Sequence, residues 1–509
     1  MLVAGTGQGP LFPTVRNEGI GSWAARRARM SGDRVAVVHE GRQWTYRQVW
    51  ERSRKVGEVL RGRGVGPGDR VAYLGVNHPA FLETMFGTGL AGAIFVPLNT
   101  RLVPAELAYI LRDCAAKVLV YGAERAGAVE ALDGLVPAIG PEEYERAVGA
   151  APGAAWDEEV SASEVALILY TSGTTGRPKG VALSHANVAW NSLNVLIDVD
   201  LSGDEVTLVS ASMFHVAALN QTVLPTFAKG GTAVLMSKFD PQRAIELIMR
   251  HRVTYMFGVP AMFQAIAGCP GWAGADLSSV RTMICGGAPV PEALITVYQR
   301  RGLRFLQGYG LTETGPSALF LRAHDGERKI GSAGTPCFLT DVRVVRPDGT
   351  AVAPGEPGEV EVRGPHVMTG YWNRPEDTAE VLGKDGWLRT GDIAVLDEDG
   401  YAYIRDRIKD MIISGGENIY PAEVEDALYG HPAVAECAVI GVADERWGEV
   451  GRAVVVLRAG ARTQPAELLD FLHGRIANFK IPKSVVIADT LPRTASGKLA
   501  KNLLRRDYS

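Results

Sequence analysis

No apolar stretch in this chain is long enough to cross a membrane as a helix. The longest, such as residues 165–169 and 437–442, are strand length, against the roughly 18 residues a spanning helix needs. A basic segment leading into an apolar one is also missing from the N-terminus, so a secretory leader is not expected. Charge of one sign is scarce: 53 Lys+Arg against 57 Asp+Glu leave a formal net charge of −4, with no long single-sign run. A nucleic-acid binder would show a basic face, so that class is set aside. Cysteine is sparse. The five, at 114, 269, 285, 337 and 437, are odd in number and lack metal-ligand spacing. That excludes a disulfide scaffold and reads as reduced, buried thiols in a cytoplasmic protein. Internal repeats and low-complexity tracts are absent.

What is present is a long alternation of strand and helix patterns. The 509 residues correspond to two to four domains or subdomains at about 100–200 residues each. Residues 34–39 read as a strand and 46–61 as a helix, with Val49, Val56, Val59 and Leu60 near helical spacing. Strands at 69–75 and 94–98 flank a helix at 80–90. Repeated strand–helix–strand order implies parallel sheets with helices on their faces. The near-continuous apolar runs 71–74 and 118–120 fit strands buried on both sides. From about residue 340 the texture changes. Short strands at 341–346, 358–363 and 402–404 are separated by turns such as Pro347-Asp348-Gly349 and Glu398-Asp399-Gly400, which predicts a small antiparallel unit. Beyond Arg407 the pattern gives a helix starting at Pro421, strands at 434–442 and 451–457, a helix at 465–478 and a strand at 484–487. The expectation is an α/β fold. A large N-terminal domain, 1–407, holds parallel and mixed sheets with flanking helices plus the antiparallel unit. A small α+β C-terminal domain, 408–509, follows a boundary close to Lys409.

The segment Tyr170-Thr171-Ser172-Gly173-Thr174-Thr175-Gly176-Arg177-Pro178-Lys179-Gly180 carries the clearest chemistry. Phosphate oxygens are well held by backbone N–H groups converging from an unobstructed turn. Glycine permits the tight geometry, hydroxyls donate further bonds and lysine supplies charge. The spacing is not that of a Walker A loop, and composition alone leaves open a plain Ser/Thr/Gly surface loop. The full string, however, resembles the signature of the AMP-forming adenylating superfamily, which includes acyl-CoA synthetases, firefly luciferase and the adenylation domains of peptide synthetases. Further motifs follow in that family's order, so the resemblance spans nearly the whole chain.

The resemblance implies roles for particular residues. Gln307-Gly308-Tyr309-Gly310-Leu311-Thr312-Glu313-Thr314 resembles the second core motif. In it Glu313 would hold the Mg²⁺ that bridges the phosphates, Thr312 would touch the α-phosphate, and Tyr309 would lie against adenine. A hard carboxylate oxygen suits that metal. Gly286-Gly287-Ala288-Pro289 would border adenine and the acyl group. Asp392, in Thr390-Gly391-Asp392, and Arg407 would take the ribose hydroxyls, for which a carboxylate is a suitable acceptor. Lys498, closing Pro492-Arg493-Thr494-Ala495-Ser496-Gly497-Lys498, would contact the carboxylate and α-phosphate during adenylation. Taken singly, each is more ordinary: a turn carboxylate, a solvated terminal lysine.

An acyl-adenylate must be handed to an acceptor. In the acyl-CoA synthetases the small C-terminal domain rotates between the two steps about the position matched by Lys409. Gly415 and Gly416, in Ser414-Gly415-Gly416-Glu417-Asn418, would then leave room for the pantetheine arm of CoA. As plain sequence, the same segment reads as a turn before the helix at Pro421. Trp447 matches a tryptophan that stacks on the CoA adenine in chlorobenzoate-type ligases. Phe479 and Lys483 match a segment lining the nucleotide end, with Ile481 replacing an arginine of that relative. The acyl pocket implied by the resemblance runs through Phe214-His215-Val216-Ala217-Ala218-Leu219-Asn220, Phe257-Gly258-Val259-Pro260 and Gly286. His215 would be the gate residue. Ala217 stands where hydroxycinnamate ligases carry tyrosine, and no arginine is present in these segments to pair a second carboxylate. The expectation is therefore a cytoplasmic, monomeric or homodimeric enzyme using ATP, Mg²⁺ and CoA to activate an apolar acid, aliphatic or aryl-alkyl. Two alternatives share the motifs: an amide synthetase passing the acyl group to an amine, and a non-catalytic adenylate binder. The presence of Lys179, Glu313, Asp392, Arg407 and Lys498 together disfavours the binder.

Overall fold

The hairpin Val35–His39/Arg42–Thr45 shows how local sequence begins to set the architecture. Its two connecting residues, Glu40 and Gly41, both have positive φ (47° and 78°), the geometry of the tight turns whose twist matches paired strands. Thr45 then opens the helix Tyr46–Gly62 with a reciprocal capping box to Gln48, satisfying two otherwise orphaned N–H groups. The computed structural model describes residues 17–153, 158–171, 178–415, 417–493 and 499–508. It divides into two compact units, Met1–Ala189 and Trp190–Ser509.

In the first unit the strands lie in the order Lys179–Ser184, Val165–Thr171, Ile94–Pro97, Arg70–Leu74, Ala116–Tyr121 and Ala138–Ile139. The first pair is antiparallel and the rest are parallel. The helix Pro79–Leu90 is buried on nearly every side, as its all-round apolar sequence requires.

In the second unit Thr232–Leu235, Val206–Val209, Tyr255–Gly258, Thr282–Gly286 and Phe305–Tyr309 form a parallel array. Helices Pro241–His251, Pro260–Gly268 and Glu292–Gln299 make the crossovers. Two short antiparallel strands, Leu319–Phe320 and Thr335–Pro336, extend the edge. Next comes a four-stranded antiparallel sheet, Asp341–Val345, Pro357–Arg363, Leu388–Leu396 and Ala402–Arg407. The strand Leu388–Leu396 lies where the sequence had pointed only to a ribose motif.

From Ile412 onward the chain builds its own sheet. Val434–Asp444 and Gly448–Leu457 pair antiparallel, Ser484–Ile487 adds in parallel, and the hairpin Ile412–Ser414/Glu417–Ile419 joins at the edge. Successive residues point to opposite faces, and both faces are buried. Cys437 and Val439 join Val424, Leu428, Leu468 and Leu472, while Ala438 and Ile440 join Leu491 and Leu504. Two expectations change here. The helix expected over 465–478 stops at Leu472, because His473 turns extended and Gly474 takes φ 75°. A three-residue 3₁₀ turn, Asn478–Lys480, follows. The C-terminal helix Lys501–Tyr508, which the sequence pattern had not signalled, closes the second face through Leu504. No described helix is long and apolar enough to span a membrane, and four of the five cysteines are buried.

Candidate active site

The parallel strands of the second unit end together. Gly258 pairs with Cys285, and Gly286 with Gly308, so the turns after three adjacent strands meet at one edge. Ligands of open α/β sheets bind outside such carboxyl ends. The glycines there keep the backbone bare. A Cβ on Gly286 would meet the Gly308 carbonyl oxygen at 2.6 Å, and Gly287 holds φ +80° with only Val259 near. Ala288 and Pro289 continue that turn, and Val259 opens the helix Pro260–Gly268 just beyond Phe257.

Next to this edge stands a polar cluster. The antiparallel register of Leu388–Leu396 and Ala402–Arg407 sets Asp392 opposite Arg407, and Arg407 Nε lies 3.0 Å from Asp392 Oδ1. Tyr309, at the end of its parallel strand, donates its hydroxyl to Asp392 Oδ2 at 2.7 Å. Burial, reinforced by the Asp392 carboxylate, raises the Tyr309 phenol well above its ordinary range, so it is a fixed donor. Burial works against the Arg407 charge, but Asp392, Tyr309 and Glu313 outweigh it and raise its pKa. A carboxylate is a suitable acceptor for hydroxyl donors, and the 5% exposure of Asp392 places it in a shielded setting.

Thr312 and Glu313 sit in a 3₁₀ turn directly after the strand bearing Gln307, Gly308 and Tyr309. Gly310 is required there: its Cβ would fall 1.5 Å from the Pro316 carbonyl oxygen. Glu313 Oε1 accepts a hydrogen bond from Tyr371 at 2.8 Å, and the Glu313 carbonyl accepts from Met368 N at 2.9 Å. Burial and the neighbouring Glu313 keep the Tyr371 phenol protonated. Tyr371 was not identified from the sequence, since it comes to Glu313 only through the fold. The buried Gln307 Oε1 has no partner among the described residues.

The acyl-side residues follow the strand Val206–Val209. Phe214 and His215 stack at a tilt, ring centroids 4.4 Å apart, and Ala217–Val223 forms a π-helical turn. Val216 is buried, Asn220 donates to the Gly315 carbonyl at 3.0 Å, and Ala217 packs on the cluster holding Phe257, Ile284 and Phe320. In the C-terminal part, Gly415 and Trp447 touch: Gly415 N donates to Trp447 O at 2.8 Å, and a Gly415 Cβ would lie 2.6 Å from the indole. The Gly415 segment is a hairpin turn, not simply a helix start. Arg446 lies over the Trp447 ring, while Phe479 and Lys483 are exposed. Lys409 follows Arg407 by two residues, and Asp410 beside it is held by Arg505 at 2.9 Å. In the first unit Thr171 pairs with Lys179 across the antiparallel hairpin. Ser172, Gly173, Thr174, Thr175, Gly176, Gly416 and Lys498 lie outside the described residues.

The model of the AMP-binding enzyme family matches residues 24–372, and that of the AMP-binding enzyme C-terminal domain matches 423–498. The chain belongs to this family. It is 54% identical to a feruloyl-CoA synthase from Amycolatopsis sp, covering 97% of this chain and all of that one. It is 41% identical to an indoleacetate–CoA ligase from Aromatoleum aromaticum, over 96% of this chain and 98% of that one. The solved anthranilate CoA ligase in complex with anthranoyl-AMP superposes with a TM-score of 0.92 at 27% identity, covering 96% of this chain and 97% of the other. The family member described here is an AMP-forming acid–CoA ligase: it activates a carboxylic acid with ATP as the acyl-adenylate, then transfers the acyl group to CoA.

Proposed function

We propose that the acid is an aryl-substituted one of the phenylpropenoate type, activated at the strand edge that bears Gly286, Gly308 and Tyr309. The observation that carries the site assignment is the Tyr309–Asp392–Arg407 cluster beside those bare glycines. In this reading Asp392 and Arg407 hold the ribose, and Gly287, Ala288, Pro289 and Gln307 border the adenine. Residues 171–176 and Lys179 hold the triphosphate. Glu313, steadied by Tyr371, is the carboxylate ligand for Mg²⁺, whose chemistry would be to neutralise phosphate charge.

The acid needs no base, being ionised near neutral pH. Its carboxylate oxygen attacks the α-phosphorus and the bond to pyrophosphate breaks. Catalysis then rests on positioning and on charge supplied by Lys498. The CoA sulfur next attacks the adenylate carbonyl, AMP leaves, and the thiol proton goes to solvent. Gly415, Gly416 and the ring of Trp447 serve that second step, after residues 408–509 rotate about Lys409.

The aryl preference is supported by the apolar cluster of Phe257, Ile284 and Phe320 on which Ala217 packs, by the absence of arginine from the pocket segments, and by the aryl acids named for the relatives above. A cytoplasmic setting is supported by the buried thiols. The test is a panel of aryl and straight-chain acids scored by pyrophosphate release with ATP, with and without CoA. Hydroxycinnamates should give the highest kcat/KM, with sustained turnover only when CoA is present. Turnover confined to straight-chain acids, or sustained by amines in place of CoA, would overturn the reading.

A further inference from the structure

The last two turns of the helix His185–Asp198 are inverted in polarity. Trp190, Leu193 and Ile197 are exposed, while Asn191 and Asn194 are completely buried. A helix packed for burial alone shows the reverse. Residues three apart share one helix face, and each of these two amides uses both of its ends. Asn191 Nδ2 donates to the Asn220 carbonyl at 2.8 Å, and its Oδ1 accepts from Ser317 N at 3.1 Å. Asn194 Oδ1 accepts from Leu339 N at 2.8 Å, and its Nδ2 donates to Thr340 Oγ1 at 3.1 Å.

These bonds converge on two turns of the site. Asn220 lies in the acyl-side π turn Ala217–Val223 and itself donates to the Gly315 carbonyl at 3.0 Å. Gly315 and Ser317 follow directly on Thr312–Thr314, the turn that bears Glu313. Thr340 extends the second arm to His366 Nε2 at 2.7 Å, and His366 Nδ1 donates to the Thr314 carbonyl, also at 2.7 Å. Gly315 leaves no slack between the arms: it holds φ +73°, and an added Cβ would stand 2.9 Å from the His366 carbonyl oxygen. The single amide of Asn191 thus ties a peptide of the acyl-side turn to a peptide of the phosphate-side turn. Satisfied buried hydrogen bonds add little net stability over apolar packing of the same shape. What a satisfied network adds is rigidity and a unique arrangement.

We propose that Asn191 is a positioning residue for adenylation: it fixes the spacing between the acyl-side turn and the Thr312–Thr314 turn, and with it the approach of the acid's carboxylate to the α-phosphorus. This rests on the assignment of Thr312 and Glu313 to phosphate and metal, and adds the residue that holds their turn against the acyl side. A misplacement of about 1 Å between reacting groups costs about 100-fold in rate. The effect is confined to the first half-reaction, because in the acyl-adenylate the same spacing is held by a covalent bond.

The experiment measures ATP–pyrophosphate exchange, and CoA transfer from a supplied acyl-adenylate, with the acid that the panel above selects (4-hydroxycinnamate on the aryl reading). The enzymes are wild type, Asn191→Leu, Asn191→Asp, Glu313→Gln, and Thr226→Val as a control that breaks a buried hydroxyl pair with Thr207 (2.7 Å). Asn191→Leu should lower the kcat of exchange by about 100-fold, with the KM of ATP and acid within about 3-fold and CoA transfer within about 3-fold of wild type. Asn191→Asp keeps the acceptor toward Ser317 and gives up the donor toward Asn220, so it should show a smaller loss of the same kind; it also keeps the proposal testable if the leucine variant does not fold. Thr226→Val should leave both half-reactions at wild-type rates. Equal loss of both half-reactions in Asn191→Leu would show a merely structural role and overturn the proposal. Wild-type exchange in Asn191→Asp would do so too, because the tie to the acyl-side turn would then be idle. Wild-type exchange in Glu313→Gln would instead remove the phosphate-side reading beneath it.

Discussion

Two glycines show how differently the same residue type is demanded. Gly349, in the Pro347-Asp348-Gly349 turn, has φ +82° and nothing within 4 Å of an added Cβ. Alanine there meets only backbone strain, about 1–2 kcal/mol. Gly310 has no left-handed φ, yet its Cβ would overlap the Pro316 carbonyl oxygen at 1.5 Å. That clash is with a backbone carbonyl, which cannot swing aside as a side chain could, so Gly310→Ala should cost about 4 kcal/mol or more, or yield no folded protein. Gly349→Ala should fold with a modestly lower thermal midpoint, and thermal unfolding of both variants checks the contrast. The first glycine was legible from its turn sequence. The second could be matched only as part of a motif, since its partner folds back from six residues away. The same limit separates Asp392, singled out beforehand, from Tyr371 and Asn191, whose surroundings exist only once distant segments meet.

At the scale of elements, periodicity located most strands and helices and failed where a local rule was overridden. The helix expected to run to residue 478 ends at Leu472 because Gly474 takes a left-handed turn. The π turn Ala217–Val223 has no sequence period of its own. It is stabilised by tertiary bonds such as Tyr255 to the Gln221 carbonyl. One such junction carries a pH consequence. His366 Nδ1 donates to the Thr314 carbonyl at 2.7 Å, and its Nε2 pairs with Thr340 Oγ1 at 2.7 Å. Burial depresses its pKa to about 4, below the roughly 6.5 of an unfolded histidine. Between those values the unfolded chain binds a proton that the folded one refuses. Stability is therefore full above about pH 6.5 and falls as pH drops, by about 3 kcal/mol from this residue near pH 4. Because the Thr312–Thr314 turn bears Glu313, that turn should loosen first. Denaturant unfolding of wild type and His366→Gln between pH 7 and pH 4.5 checks this: the acid-side loss should be shallower in the variant.

For the whole molecule, the proposed division of labour is a large body that holds nucleotide and acid and a C-terminal part that serves each half-reaction with a different edge. In that proposal Lys498 serves the first half-reaction and Gly416 the second. Lys498→Ala should therefore abolish ATP–pyrophosphate exchange, yet leave CoA transfer from a supplied acyl-adenylate within about 10-fold of wild type, since this lysine acts on charge that develops only in the first step. Gly416→Trp should do the reverse. Loss of both half-reactions together in either variant would contradict the two-edge arrangement. The chemistry of activation was legible from short motifs because phosphate, ribose and metal demand particular residue types. The identity of the acid was not, because a pocket is a shape assembled from residues that individually look like core.

Four of the five thiols are buried, and Cys269 alone is partly open. The native enzyme thus carries a ready-made attachment point for one maleimide dye on the large body. One added cysteine at the exposed Arg462 would complete a donor–acceptor pair across Lys409. The proposed swing between half-reactions could then be timed optically, turnover by turnover, in an otherwise unaltered chain.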